Sequence, residues 1–239
     1  MKTKLTLVLA VVLLPIAVRA DAGSWQKDYD ALLKKYVTSG GVRYAAWKAN
    51  TEDMAALDKV VAAIAAENPS TLGRNDKLAF YLNAYNATIL DQALQKYPTK
   101  SVKDTLFTFF TAKRITVAGE KMSFNHLEKD IIRPQFGEPR IHFALNCASR
   151  SCPPLRAESY SGAKLEAQLD EQTRGYVNSE RGLKATGDKA QLSKIFEWYK
   201  EDFGGDAGVS AFLKKYRKDK SDFKAVTYQE YDWSLNEVK

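Results

Sequence analysis

Both cysteines of the 239-residue chain and one of its two histidines lie within one short segment, residues 141–155. This segment reads IHFALNCASRSCPPL and contains His142, Cys147 and Cys152. A cysteine thiolate is an intrinsically strong nucleophile, and histidine is a common base beside it. Two cysteines can instead join in a disulfide. The segment is therefore either a reactive site or a loop closed by a disulfide.

The spacing within the segment argues against a simple pair of nucleophile and base. The pattern of residues 140–146 predicts a β-strand, followed by a loop over residues 147–155. In a straight strand His142 and Cys147 point to opposite faces and lie about 16 Å apart, at ~3.3 Å per residue. A thiol–imidazole pair therefore requires the chain to turn before Cys147, or a base from elsewhere. His126 is the only other histidine in the sequence.

The loop itself has features that favour a reactive thiol or an anion site. The charge of Arg150 could stabilise a thiolate or contribute to substrate binding. The backbone N–H groups of residues 147–149 could form an anion-binding nest. The C-x4-C spacing is not a thioredoxin motif, and the order of the histidines and cysteines does not suggest zinc. No nucleotide, haem or flavin motif occurs either, so we expect no metal and no cofactor.

Three polar residues outside the segment are further candidates. Asn83 and Asn86 lie on one stripe of a helix predicted over residues 75–97. Buried amides must be hydrogen-bonded, so these two either tie a loop to the helix or line a site and bind substrate. Glu128 falls in a helix predicted from Ser123 to residue 132, where it could orient an imidazole.

The remaining pattern predicts a single α+β domain in which helices come first and β-hairpins mixed with helices follow. There are no internal repeats and no linker long enough to separate domains. We predict helices over residues 25–36, 52–67, 75–97, 123–132, 163–178, 196–203 and 209–217. Residues 44–47 are predicted to be extended. Hairpins are predicted over residues 114–124 and 183–195, with a closing strand over 224–231.

The first twenty residues have the pattern of a secretory signal peptide. Lys2 and Lys4 precede an apolar run over residues 5–18, and the sequence VRA ends at Ala20. The mature domain is then predicted to span residues 21–239, periplasmic or secreted, with no membrane span after cleavage. An oxidising compartment would allow a Cys147–Cys152 disulfide. Basic residues are scattered along the chain, so no nucleic-acid partner is expected.

Five segments of the chain together resemble the domain of unknown function 547 family, found in exported bacterial proteins and in plant proteins. They are FYLNAYNA (80–87), LEKDIIRP (127–134), RIHFALNCASRSCPPL (140–155), KIFEWYKEDFGG (194–205) and YDWSLN (231–236). The resemblance covers about residues 73–236, and it implies which positions belong to the family's pattern. These positions are Asn83, Asn86, Glu128, Arg133, His142, Cys147 and, in bacterial forms, Cys152. Because His126 lies outside the pattern, the resemblance favours His142 as the functional histidine.

Three functions remain open at this point. The chain could be a non-catalytic envelope protein in which a Cys147–Cys152 disulfide shapes a surface that binds an unidentified small molecule or peptide. It could instead be a thiol-dependent hydrolase or transferase with a fold broadly like those of papain-type proteases and transglutaminases. Cys147 would then be the nucleophile, His142 the base, and Glu128 or the asparagines would orient the imidazole. A redox protein that forms a mixed disulfide with a small thiol is the third alternative.

Overall fold

The N-terminal helices form where apolar residues recur at helical spacing, and their apolar faces are buried. The computed structural model describes residues 24–103, 108–219 and 223–239. Helix α1, Ser24–Tyr36, confirms the helix predicted over residues 25–36, and its apolar stripe of Trp25, Tyr29, Leu32, Leu33 and Tyr36 is buried. The strands β1, Val37–Thr38, and β2, Gly41–Val42, form a small antiparallel pair after it.

The prediction that residues 44–47 are extended is wrong. They belong to helix α2, Tyr44–Ala49. The reason is tertiary packing, because both aromatic residues of this short helix are fully buried. Trp47 stacks on Tyr36 of α1, with 4.6 Å between ring centroids. The burial of two large rings at helical spacing stabilises the helix despite its length.

Two long helices complete the N-terminal half. Helix α3, Thr51–Ala66, begins at Asn50, whose side chain accepts a hydrogen bond from the N–H of Asp53. Such a cap satisfies one of the free N–H groups at a helix start. Helix α4, Arg74–Lys96, is buried on most of its surface over residues 78–94. A helix buried on nearly every side is the central element of a core, and α4 carries the site's supporting amides.

The predicted hairpins are confirmed. Strands β3, Ile115–Val117, and β4, Glu120–Met122, pair antiparallel. Strands β5, Leu183–Thr186, and β6, Lys189–Leu192, do the same. The predicted closing strand forms as β7, Ala225–Tyr228, and lies parallel to β6.

Between the two hairpins the chain is mainly helical. Ser123 caps the predicted helix by accepting a hydrogen bond from the N–H of His126. The helix consists of α5, Phe124–His126, a π-helical turn over Leu127–Ile132, and α6, Arg133–Phe136. It therefore extends past the predicted end at residue 132 and continues through Pro134. The wider π-turn precedes the proline, which has no N–H to donate, and such turns are frequent at functional sites.

The prediction of a strand over residues 140–146 is wrong. This segment contains a 3₁₀-helix, Pro139–Phe143, and the N–H of Ala144 donates to the carbonyl of Ile141. Proline at the first position favours the helical start. A 3₁₀-helix rises only about 2 Å per residue, so the distance objection to pairing His142 with Cys147 does not apply.

The C-terminal part contains the remaining helices. They are α7, Leu165–Val177, α8, Lys194–Trp198, and α9, Gly205–Tyr216, with a short 3₁₀-helix over Lys200–Phe203. Another short 3₁₀-helix, Pro69–Thr71, lies between α3 and α4. The predicted helices near these ranges are therefore confirmed, although the one over 196–203 consists of two short pieces.

Two buried apolar clusters meet at the 3₁₀-helix that contains His142. Ile141, Ala144 and Leu145 pack into a cluster with α1–α4. Phe143 packs instead into the second cluster, formed by α7–α9 and the second hairpin. Neighbouring residues that enter different cores require a turn rather than a strand with one buried face. The two clusters make one α+β domain.

The C-terminal tail returns across the molecule and crosses the cysteine loop. Backbone hydrogen bonds join the tail to Val42, to Val102 and to the loop. One of them runs from the N–H of Arg150 to the carbonyl of Ser234, at 2.9 Å. At Gly41 an added Cβ would lie 2.0 Å from the carbonyl oxygen of Asn236, so only glycine permits this approach.

Parts of the sequence analysis fall on residues outside the described ranges. The predicted signal peptide, residues 1–20, is one of them. Across the described ranges, no helix combines the length and apolar character that crossing a membrane requires.

Asn83 and Asn86 each form two hydrogen bonds to a backbone segment. The Asn83 amide donates to the carbonyl of Tyr160 and accepts from its N–H, both at 2.8 Å. The Asn86 amide donates to the carbonyl of Ala144 and accepts from the N–H of Asn146, both at 2.9 Å. Both side chains are buried. Of the two roles considered from the sequence, this geometry corresponds to tying loops to the helix.

Replacing Asn83 by alanine would leave the buried N–H and carbonyl of Tyr160 without these partners. We expect Asn83→Ala to lower the free energy of unfolding by about 1–3 kcal/mol, measured by urea denaturation. Asn75→Ala, at an exposed position of the same helix, is the control. Equal stability of the two variants would contradict a structural role for Asn83.

Candidate active site

A cleft of about 640 Å³ lies where the two clusters meet, and the cysteine loop forms part of its wall. This volume is in the usual range for small-molecule sites. Six of its lining residues are aromatic: Tyr85, Phe110, Trp198, Tyr199, Tyr231 and Trp233. Its polar and titratable lining includes Asn125, Glu128, Lys129, Arg133, His142, Cys147 and Cys152.

Cys147 is a partly exposed free thiol at this cleft. Its sulfur lies 3.0 Å from Oγ of Ser149 and 3.3 Å from the hydroxyl oxygen of Tyr231. Its backbone N–H donates to Sγ of Cys152, at 2.8 Å. Cys152 is also free, and it is buried. The predicted Cys147–Cys152 disulfide is not formed in this structure, whose two sulfurs are not at bonding distance.

The surroundings of the two thiols shift their pKa values in opposite directions. Burial raises the pKa of Cys147, but hydrogen bonds involving Cys152, Ser149 and Tyr231 outweigh it and lower the pKa to about 7. Burial, and then the neighbouring Cys147, raise the pKa of Cys152 well above its ordinary value. Cys147 is therefore the thiol that ionises near neutral pH, and Cys152 stays protonated.

The backbone after Cys147 adopts an uncommon conformation. Ala148 has a φ of 62°, in the left-handed region that costs a non-glycine residue roughly 1 kcal/mol. Its N–H donates to Oδ1 of Asn146, and its carbonyl accepts from the N–H of Asn236. The predicted anion nest is therefore not available as a whole, because the N–H groups of Cys147 and Ala148 already have acceptors within the protein.

His142 is held by a carboxylate that the sequence analysis did not identify. Its Nε2 lies 2.7 Å from Oδ2 of Asp202, and its ring stacks on Tyr199 with 3.8 Å between centroids. Arg133 donates two hydrogen bonds to the same carboxylate, both of 2.7 Å. The hydrogen bond with His142, and then the Arg133 guanidinium, hold the pKa of Asp202 well below its ordinary value.

An ionised carboxylate can only accept hydrogen bonds, which determines the tautomer of the imidazole. Nε2 of His142 must carry the proton that it shares with Asp202. The neutral ring then has Nδ1 as its basic nitrogen. A histidine oriented in this way by a carboxylate is the arrangement that catalytic triads use.

Cys147 and His142 line the same cleft, although no hydrogen bond joins them within the described residues. Catalytic hydrogen bonds are often long before a substrate is bound, so this geometry is compatible with a catalytic pair. His126 lies elsewhere, at the surface, where its Nδ1 is 2.9 Å from Oδ2 of Asp130. His142, the histidine that the family pattern favours, therefore lines the cleft together with Cys147.

Glu128 is buried in the cleft and contacts tyrosines rather than the imidazole. The hydroxyl of Tyr85 lies 3.5 Å from its Oε2. Burial, and then Glu128, raise the pKa values of Tyr85 and Tyr199 above their ordinary value, so both phenols stay protonated. Asp202, rather than Glu128 or the asparagines, contacts the imidazole.

The other predicted binding residues do not line this cleft. Asn83 and Asn86 bind backbone groups behind it. Arg150 lines a separate pocket of about 370 Å³, which shares Tyr231 with the cleft. Among the residues that the structure describes, no group of three or more His, Cys, Asp or Glu side chains is arranged to hold a metal ion.

The residues that the sequence analysis missed lie in two of the motifs that it quoted. Asp202 belongs to KIFEWYKEDFGG and Tyr231 to YDWSLN. Both segments were quoted only for the family resemblance, and the polar residues inside them were the signal that could have identified the partners. Each is distant in sequence from its partner, since 60 residues separate His142 from Asp202 and 84 separate Cys147 from Tyr231.

The fold and the cleft define an α+β protein that presents a free thiol and a carboxylate-bound imidazole to one cavity. Residues 69–177 match the model of the family described as Protein of unknown function, DUF547, so the family predicted from the sequence is confirmed for this segment. The match contains Glu128, His142 and both cysteines, whereas the two C-terminal motifs lie beyond it. No curated protein and no solved structure matches the chain.

The lowered thiol pKa gives a direct kinetic prediction. We expect the rate of Cys147 alkylation by iodoacetamide to rise with pH through a midpoint near 7, against about 8.5 for an ordinary cysteine. Tyr231→Phe removes one hydroxyl that stabilises the thiolate and should move the midpoint upward. Peptide mapping by mass spectrometry identifies the labelled residue. A midpoint of 8.5 or higher in the unmodified chain would contradict the prediction.

The lowered pKa of Asp202 makes part of the stability depend on pH. In the native state Asp202 stays ionised where an unfolded aspartate protonates, so its contribution is complete above about pH 4 and is lost as the pH falls further. We expect Asp202→Asn to lower the free energy of unfolding at neutral pH and to flatten its decline between about pH 5 and pH 3. Urea denaturation measures both, with Asp206→Asn, at an exposed carboxylate, as the control. An unchanged slope would show that Asp202 does not contribute.

Proposed function

We propose that this protein is a thiol-dependent acyl-transfer enzyme, a hydrolase or transferase, with Cys147 as its nucleophile. The observation that carries the proposal is the shared cleft. It contains a free thiol whose pKa is lowered to about 7 and an imidazole bound to the Asp202 carboxylate. A reactive thiol and an oriented base in one small-molecule-sized cavity are the parts that acyl transfer requires.

In the first step, the Cys147 thiolate attacks the acyl carbon of an ester, thioester or amide. The thioester bond forms, the bond to the leaving group breaks, and protonated His142 gives its Nδ1 proton to that leaving group. In the second step, water or an acceptor nucleophile gives a proton to Nδ1 and takes the acyl group, which releases the Cys147 thiolate and restores protonated His142. Asp202 stabilises the imidazolium that forms between these transfers.

The proton and charge requirements explain the polar groups around the sulfur. Ser149 and Tyr231 stabilise the thiolate before attack. Tyr199 and Tyr85 stay protonated, and their hydroxyls hydrogen-bond the buried carboxylate of Glu128 at the same cleft. The leader pattern of residues 1–20 supports an envelope or secreted location for this chemistry.

The test is acylation of the purified protein by p-nitrophenyl acetate, followed by intact mass and peptide mapping. We expect an acetyl group on Cys147, lost in Cys147→Ser and retained in Cys152→Ser. His142→Gln should retain the acetyl group and release it more slowly, because deacylation needs the base. Melting temperatures of all variants control for folding. Equal acetylation of the unmodified chain and Cys147→Ser would overturn the proposal.

The non-catalytic alternative predicts a different state of the same two cysteines. In that alternative a Cys147–Cys152 disulfide shapes a binding surface for a small molecule or peptide. The aromatic wall of Trp198, Tyr231 and Trp233 favours binding but does not require a bond between the sulfurs. Without reductant, iodoacetamide labelling at Cys147 supports the enzyme. Labelling only after reduction supports the disulfide, and a removable added mass supports a captured small thiol.

A further inference from the structure

The wall of the cleft is unusually rich in aromatic ring surface. Trp198, Tyr231 and Trp233 pack together, with centroid distances of 4.8, 4.5 and 5.7 Å among the three rings. Trp198 is 46% exposed, although large apolar side chains are normally buried. The face of an aromatic ring carries negative electrostatic potential, so clustered rings at a cavity attract cations as well as apolar groups.

One ring of this wall already lies next to a cation. Nζ of Lys103 is 4.7 Å from the ring centroid of Trp233, within the range of a cation–π contact. The contact comes from an exposed lysine that is not among the residues lining the cleft. It demonstrates the chemistry for which these rings are suited.

Glu128 supplies a carboxylate at the same cleft. Its residue is only 7% exposed, and its contacts are the neutral hydroxyls of Tyr85 and Tyr199. No ion pair to Glu128 forms among the residues that the structure describes. A buried carboxylate without a cation normally costs free energy, and a ligand cation would repay that cost.

The other charged groups of the cleft do not neutralise this one directly. Arg133 interacts electrostatically with Glu128, but its Nε and Nη2 donate hydrogen bonds to Asp202, both at 2.7 Å. Lys129 also lines the cleft and is exposed. Glu128 is therefore a buried carboxylate of the cleft that has no cation bound to it among the described residues.

We infer that the substrate carries a cationic group, an alkylammonium, which Glu128 and the aromatic wall bind while its acyl carbon meets Cys147. This inference rests on the proposed thiol chemistry and adds the substrate class. A cleft of about 640 Å³ accommodates a small molecule of this kind. Glu128 is then a binding residue, which agrees with its position away from the imidazole.

Charged thiol reagents test the cleft independently of any catalytic turnover. Methanethiosulfonates react with a thiolate to form a disulfide with their alkylthio group and to release methanesulfinate, so no other reactant is needed. The probes are the trimethylammonium-ethyl and sulfonato-ethyl reagents, which differ mainly in charge. Cys152→Ser leaves Cys147 as the single thiol, and 2-mercaptoethanol gives the ratio for a thiol without a protein field.

We expect the ratio of cationic to anionic reagent rates at Cys147 to exceed the 2-mercaptoethanol ratio by about tenfold or more at low salt. Glu128→Gln keeps an acceptor for the tyrosine hydroxyls and should remove most of that excess. Glu120→Gln, at an exposed carboxylate outside the cleft lining, should retain it. Adding salt should reduce the contribution of exposed charges to this rate ratio more than the contribution of the buried Glu128.

The outcomes separate the two proposals. Cys147 that reacts with neither reagent would overturn the thiol chemistry itself. If the ratio of cationic to anionic reagent rates at Cys147 equals that of 2-mercaptoethanol, or favours the anionic reagent, the cationic substrate is overturned. The thiol chemistry would then still stand. If Glu128→Gln melts at a much lower temperature, the excess in the single-thiol protein, measured against 2-mercaptoethanol, still decides the question.

Discussion

The side-chain amide of Asn86 fixes the path of the chain between the two reactive residues. It binds the carbonyl of Ala144 and the N–H of Asn146, the backbone groups that flank Leu145. Helix α4 is the most buried helix, so this amide is attached to a rigid support. Without it, two backbone groups would be buried without partners, at a cost of about 1–3 kcal/mol each. The positions of His142 before the turn and Cys147 after it both depend on this contact.

The same loop is fixed from its other side by the C-terminal tail. Asn146 donates from Nδ2 to the carbonyl of Pro153, and its Oδ1 accepts from the N–H of Ala148. The N–H of Asn236 binds the Ala148 carbonyl. These contacts offset the cost of the left-handed conformation at Ala148, which an unsupported alanine would avoid. Such strain is common where the backbone must present one side chain in a single direction, and here it lies beside the proposed nucleophile.

The sequence predicts the local elements of this fold well and its tertiary contacts poorly. The stripes of α1 and α3, the two hairpins and the Ser123 cap follow from spacing and capping, which are local. The segment over 140–146 could not be predicted in this way. Its apolar side chains pack into two different cores, and which core each one enters is a property of the assembled domain.

The same difference between local and tertiary information applies to the residues of the candidate site. Cys147 and His142 stand out because of their residue types, and family resemblance distinguishes His142 from His126. Asp202 and Tyr231 could not be assigned as their partners, because aspartates and tyrosines are common and nothing local relates them to the loop. The roles of Asn83 and Asn86 required knowledge of which backbone groups pack against α4.

The thiol and the imidazole are stabilised by separate sets of groups, and this separation has a mechanistic consequence. Hydrogen bonds from neutral side chains lower the pKa of Cys147, whereas Asp202 and Arg133 orient His142. A thiolate that forms without an adjacent imidazolium can attack while His142 is neutral or protonated. In the proposed acyl transfer, the imidazole is then required to protonate the leaving group and to deprotonate the second nucleophile. Proton transfer would therefore limit turnover more than formation of the nucleophile, unlike in an enzyme whose thiolate exists only as an ion pair.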